Sequence, residues 1–159
     1  MRTYFDHEEL DVYQLELRFI TWVTPLLSKI KQRRTEARIS EVLDQLDRAS
    51  LSALLNMAEG NGRRRRTRAK FFDHARGSVT ECAACLDALV AKGVCSSEEI
   101  GEGKQMLPRI ASMLTKLIKR FDLSPSSSRS ASIIREGPDE QGFEDEDEGE
   151  NENRNEDAP

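Results

Sequence analysis

Asn56-Met57-Ala58-Glu59-Gly60-Asn61-Gly62-Arg63-Arg64-Arg65-Arg66-Thr67-Arg68-Ala69-Lys70-Phe71-Phe72-Asp73-His74-Ala75-Arg76-Gly77-Ser78 is the stretch that decides the fold. Gly60 and Gly62 make a helix-stop signal. Six basic residues follow within eight positions: Arg63, Arg64, Arg65, Arg66, Arg68 and Lys70. A new apolar periodicity then starts on the same charges. Two long helical patterns joined by so few residues must be antiparallel neighbours.

Upstream, Ile39, Val42, Leu43, Leu46, Ala49, Ala53, Leu54 and Met57 recur at 3/4 spacing. This predicts a helix over residues 35–59, stopped by Gly60 and Gly62. Downstream, Phe72, Ala75, Val79, Cys82, Leu86 and Leu89 alternate steps of three and four, the pattern of a left-handed bundle. A helix over 67–92 follows, stopped by Gly93. Small residues recur in both segments and permit close approach. An earlier helix is predicted over 6–32, with Pro25 expected to kink it near Thr21. Its apolar residues cover more than the ~100° that one buried face needs, and the excess suits an oligomer interface. A last helix is predicted over 97–121, with Ser96 and Glu99 as a capping box. Gly101, Gly103 and Pro108 weaken its first half, so firm helix is expected from Gln105.

The fold class is therefore all-α, an up-down-up-down antiparallel four-helix bundle over residues 1–122. In this topology the arginine loop shares one end with Lys116, Lys119 and Arg120. Lys29, Lys31, Arg33, Arg34 and Arg38 lie at the other end.

Charge is distributed unevenly. The chain carries a net −5, but residues 1–122 hold 21 Lys+Arg against 17 Asp+Glu, and residues 123–159 hold 3 against 12. The tail opens with Ser124-Pro125-Ser126-Ser127-Ser128 and continues in Asp, Glu, Asn and Gly. Such a composition predicts disorder. Its charge suits either solubility or competition with nucleic acid for the arginine loop. No apolar run approaches the ~18 residues of a membrane span. Three Cys and an acidic, signal-free start suggest a cytoplasmic protein with reduced thiols.

The arginine loop is the candidate functional site. Arg63 and Arg64 would favour the negative end of the preceding helix. Arg68 and Lys70 would sit at the positive start of the next, so they suggest a demand from outside the fold. Phosphate fits, since the Arg fork binds it bidentately. Arg63, Arg64, Arg65, Arg66, Arg68 and Lys70 are thus expected to contact nucleic acid, RNA before DNA, with weak sequence preference. No aromatic lies between the arginines, so base stacking on the loop is not expected. A solvated loop is the plain alternative.

Asn56 and Glu59 are read as hydrogen-bonding or ion-pairing at a helix end. No nucleophile or metal set accompanies Glu59, so catalysis is not expected. Cys82 and Cys85 share a helix face, and with Cys95 and His74 they raise a zinc reading. Their Ala and Leu neighbours favour core packing instead. No cofactor or metal is implied.

Asn56-Met57-Ala58-Glu59-Gly60-Asn61-Gly62-Arg63 resembles the N-I-A-E-G-x-G-R signature of the S23, or 23S rRNA intervening-sequence, protein family. Phe71, Ala75, Gly77, Ser78 and Glu81 are similar to its F-x-x-x-A-x-G-S-x-x-E motif. Leu10-Asp11-Val12-Tyr13-Gln14 resembles its opening L-x-V-Y/W-Q, and Gln45 with Arg48-Ala49-Ser50 resembles its helix-two pattern. The resemblance implies a structural role for Asn56, Glu59, Gly60, Gly62, Gly77, Ser78 and Glu81. It also implies a four-helix bundle assembled as a homopentamer. A further likeness, to the accessory variability determinant of diversity-generating retroelements, implies a reverse transcriptase or other nucleic-acid enzyme as partner. Four consecutive arginines and the acidic tail depart from the family pattern.

Overall fold

Four helices follow a short 3-10 turn in the computed structural model, which describes residues 4–33 and 37–122. After the turn, Asp6–Glu9, come α1 (Asp11–Arg33), α2 (Ala37–Gly62), α3 (Arg65–Ala91) and α4 (Gly101–Asp122). No strand occurs among the described residues. The acidic tail lies outside them.

Each helix packs against its neighbours in sequence, and α4 returns against α1. This closes the up-down-up-down bundle. Phe19, Leu43, Leu46, Met57, Phe72, Leu86, Leu89, Leu107, Ile110 and Leu114 form its fully buried centre. Each such side chain contributes about 1.5–3 kcal/mol of transfer free energy. Exposed Leu51 and Leu55 lie on the outer side of α2.

Several helix boundaries differ from expectation. The first helix starts at Asp11, because Leu10 is extended and separates it from the 3-10 turn. Gln14 Nε2 donates across that joint to the Glu8 carbonyl at 2.8 Å. Within α1 the helix continues through Pro25 as one element. The capping box forms: the Ser96 N–H donates to Glu99 Oε2 at 3.0 Å, and the Glu99 N–H donates to Ser96 Oγ at 3.2 Å. It starts a turn that leads into α4 at Gly101, earlier than Gln105. At the end of α3, Gly93 takes φ 65, and its N–H and that of Val94 bond to the Val90 and Leu89 carbonyls. That is a left-handed glycine cap.

Gly103 has a packing role rather than a weakening one. A Cβ there would stand 2.2 Å from Cζ3 of Trp22, so α1 and α4 approach through a missing side chain. The half-buried indole packs against the core and cannot swing away cheaply. Gly103→Ala is expected to cost about 1–3 kcal/mol of stability, seen as a lower urea midpoint at constant slope.

Among the described residues two polar side chains are buried, Ser50, which donates to the Asp47 carbonyl, and Glu16. Glu16 of α1 is fully buried, and neither carboxyl oxygen has a hydrogen-bond partner among the described residues. Burial pushes its carboxyl up to about 8. It lies between Val12 and Phe19 on the face that also buries Val23 and Leu27. On α3 the Cys82 thiol is pushed up, first by burial and then by Glu16.

Candidate nucleic-acid interface

The corner between α2 and α3 is built from a glycine that does not turn the chain. Helix α2 runs through Gly60 and Asn61 to Gly62, so the expected stop at Gly60 is corrected. The reason is tertiary. A Cβ on Gly60 would meet Phe71 Cβ at 2.9 Å and the Phe72 ring at 3.2 Å. Gly60 thus lets the first turns of α3 rest on the last turn of α2. Around Gly62 there is open space. Gly60→Ala is therefore expected to cost about 1–3 kcal/mol by overpacking, while Gly62→Ala should cost little. Equal thermal shifts for the two variants would contradict this assignment.

The turn itself is short. The Arg63 N–H bonds to the Gly60 carbonyl at 3.0 Å, Arg64 is extended, and α3 opens on Arg65 at φ 48. A non-glycine residue in that left-handed region costs about 1–2 kcal/mol. It is Arg65, not either glycine, that reverses the chain. No side chain caps the N-terminus of α3.

The six basic residues divide into two groups. Arg63 pairs with Glu59 one turn back at 2.6 Å and lies 5.7 Å from the Phe71 ring centre. Arg68 donates from Nε to the Arg63 carbonyl at 2.7 Å and from its terminal nitrogen to the Asn61 carbonyl at 2.5 Å. Its guanidinium also lies 4.7 Å from the ring centre of Phe121 on α4. Arg68 therefore satisfies carbonyls left open at the end of α2. The expectation that nothing inside the fold explains Arg68 is corrected. Arg64, Arg65, Arg66 and Lys70 are exposed and make no ion pair among the described residues. Lys116 and Lys119 of α4 are also exposed, and the Arg68–Phe121 contact places the end of α4 at this corner.

The opposite end shows what unpaired charge would otherwise do. There Lys29 pairs with Glu99 at 3.0 Å and Lys31 with Asp44 at 2.8 Å. Those pairs tie the end of α1 to α2 and to the turn before α4. The arginine corner keeps four cations without such partners among the described residues.

Above the corner, the signature residues form a hydrogen-bonded seam between α2 and α3. Asn56 Nδ2 donates to the Ser52 carbonyl at 2.8 Å and to its Oγ at 3.2 Å. Ser52 Oγ and Ser78 Oγ are 3.0 Å apart. Farther along, Gln45 Nε2 donates to Glu81 Oε1 at 2.5 Å, and Gln45 Oε1 accepts from the Arg48 guanidinium. Gly77 is exposed with open space around it, so no close contact explains it. Shallow surface grooves flank the seam; one is lined by Arg48, Leu51, Ser52, Leu55, Asn56 and Glu59.

Cys82 and Cys85 are buried, and burial raises both thiols, the reverse of what a metal-bound thiolate needs. No cluster of three metal-ligating side chains occurs among the described residues. No helix there is long and apolar enough to cross a membrane. Sequence reasoning missed Glu16, although the spacing 12, 16, 19, 23 places it on the buried face.

A family model described as 23S rRNA-intervening sequence protein matches residues 8–116. The match takes in α1, α2, α3, the arginine corner and most of α4. No curated protein matches the chain.

Proposed function

Because the chain belongs to the 23S rRNA-intervening sequence protein family, we propose that it is a non-enzymatic, self-assembling bundle that binds nucleic acid, RNA before DNA, through phosphate contacts at the arginine corner. One observation carries this reading. Arg64, Arg65, Arg66 and Lys70 are exposed, close in sequence and without ion pairs among the described residues. Packing does not require them, and their mutual repulsion opposes folding. A polyanion reverses that cost. The uncapped start of α3 adds a positive dipole end at the same place. Lys116 and Lys119 extend the basic surface across α4.

Arg63 and Arg68 hold the turn, so in this proposal they position the loop rather than lead the binding. Assembly into a ring, a pentamer by family resemblance, would repeat the corner and raise avidity without improving any single contact. Exposed Leu51 and Leu55 on α2 support such assembly. The proposed setting is the cytoplasm, where the thiols stay reduced. Titrating labelled RNA at several salt concentrations, with Arg64, Arg65, Arg66 and Lys70 intact and replaced, tests the phosphate reading.

A second reading is favoured by the same leucines. The outer face of α2 suits a protein partner, such as a reverse transcriptase or another nucleic-acid enzyme. Salt-dependent binding of generic RNA by the isolated chain separates the two, since an adaptor needs its protein partner.

A further inference from the structure

The arginines of the corner are not interleaved with aromatics in sequence, yet the fold brings an aromatic surface to them. Phe71 and His74 lie one turn apart on α3, with ring centres 6.2 Å apart and planes inclined by 56°. The Arg63 guanidinium lies 5.7 Å from the Phe71 ring centre. His74 is exposed and Phe71 only half-buried, whereas its neighbour Phe72 is wholly buried in the core. The core therefore uses Phe72 and leaves part of the Phe71 ring at the surface.

Phe71 is also held in place. Its Cβ lies where a side chain on Gly60 would have to go, so the close packing of α2 and α3 fixes where the ring starts. A preset ring loses little freedom on binding. On the same helix Arg66, Lys70 and His74 follow one another at four-residue spacing and so share one side of α3. Two cations without ion pairs among the described residues thus lead along the helix to two aromatic rings.

We propose that this surface binds unpaired nucleotides: bases of a single-stranded RNA stack on Phe71 and His74 while Arg66 and Lys70 hold the adjoining phosphates. The proposal rests on the phosphate reading above and adds a preference for single strands. In an A-form duplex the base faces are stacked on one another and only backbone and groove edges are offered. A duplex can therefore use the arginines but not the rings. An unpaired strand uses both.

The test uses the full chain and three fluorescent probes of equal length: a 20-nucleotide oligouridylate, an abasic 20-mer with the same backbone, and a 20-base-pair RNA duplex. Stacking of one or two bases should make the oligouridylate bind about 5- to 100-fold more tightly than the abasic strand. His74→Ala, a change at an exposed position, and Phe71→Leu, which keeps the Cβ against Gly60, should each pull that ratio towards one. Equal affinity for the two single strands overturns the proposal, as does a ratio that neither variant moves. Salt-dependent binding of the duplex and the abasic strand, with no gain from bases, would leave the phosphate reading standing alone. No binding of any probe would remove both.

Discussion

Raising the pH from 5 to 8 should lower the stability of the bundle, and Glu16→Gln should remove most of that fall. Glu16 is fully buried without a hydrogen-bond partner among the described residues. Burial raises its carboxyl from 4.5 to about 8. In the unfolded chain the same group ionises near its ordinary value. Between those two values the folded state holds a proton that the unfolded state has released. The unfolded state then binds fewer protons, so stability falls as pH rises. Its contribution is fully present below pH ~4.5 and lost progressively up to about 8. At ~1.4 kcal/mol per unit the loss could reach about 5 kcal/mol, a large part of the ~5–15 kcal/mol typical of a domain.

The surroundings make the attribution clean. Cys82 of α3 is the titratable group set against Glu16, and the buried positions of α2 and α4 carry no ionisable side chain. Cys82 stays a neutral thiol across this range, since its own shift is upward. Urea midpoints at pH 5, 6, 7 and 8 give the measurement. The difference between wild type and Glu16→Gln isolates this residue from the surface carboxylates common to both. Parallel profiles would show that Glu16 is not buried as a neutral acid. Glu16→Met should be more stable than wild type at every pH, because it fills a similar volume and leaves no polar atom unsatisfied.

Why Glu16 escaped the sequence reading is instructive. Its neighbours Val12, Phe19 and Val23 share its face of α1, so the spacing alone placed it inside. A glutamate on a helix is ordinarily a surface residue, and one helix cannot reveal what three others exclude. Gly60 is a similar case. In sequence it is a stop, but its use depends on Phe71 and Phe72 returning eleven and twelve residues later. By contrast, the capping box at Ser96 and Glu99 was legible because all its partners lie within four residues. The four helices were legible because their apolar spacing repeats over six or seven turns. Local devices and long periodicities can be read from one chain, whereas a single residue's tertiary duty cannot. Arg68 shows the same limit at the site. Its charge was plain, but its bonds to the Asn61 and Arg63 carbonyls exist only once the turn has formed.

That division of the arginines sharpens what charge removal should do. Replacing Arg64, Arg65, Arg66 and Lys70 together by Ser should weaken RNA binding about 100- to 1000-fold at 0.1 M salt. If the four cations neutralise ~4 duplex phosphates, log K falls with log salt at a slope near −3.6, or about −0.9 per contact. Between 50 and 200 mM salt that slope corresponds to a loss of about 150-fold in wild-type affinity. At 0.1 M each contact is worth at most a factor of about 8, and ordering four long side chains takes back part of the product. The variant should lose the slope along with the affinity, because counterion release and binding share one cause. Its fold should survive: none of the four residues makes an ion pair among the described residues, and Arg63 and Arg68 still hold the turn. Relief of repulsion should leave its melting temperature equal or higher. Arg68→Ser is the contrasting variant. It removes two hydrogen bonds and the contact with Phe121, so it should lower the melting temperature and weaken RNA binding only as far as the loop loosens. A fourfold variant that keeps wild-type affinity and salt slope would show that phosphate is not what these cations meet.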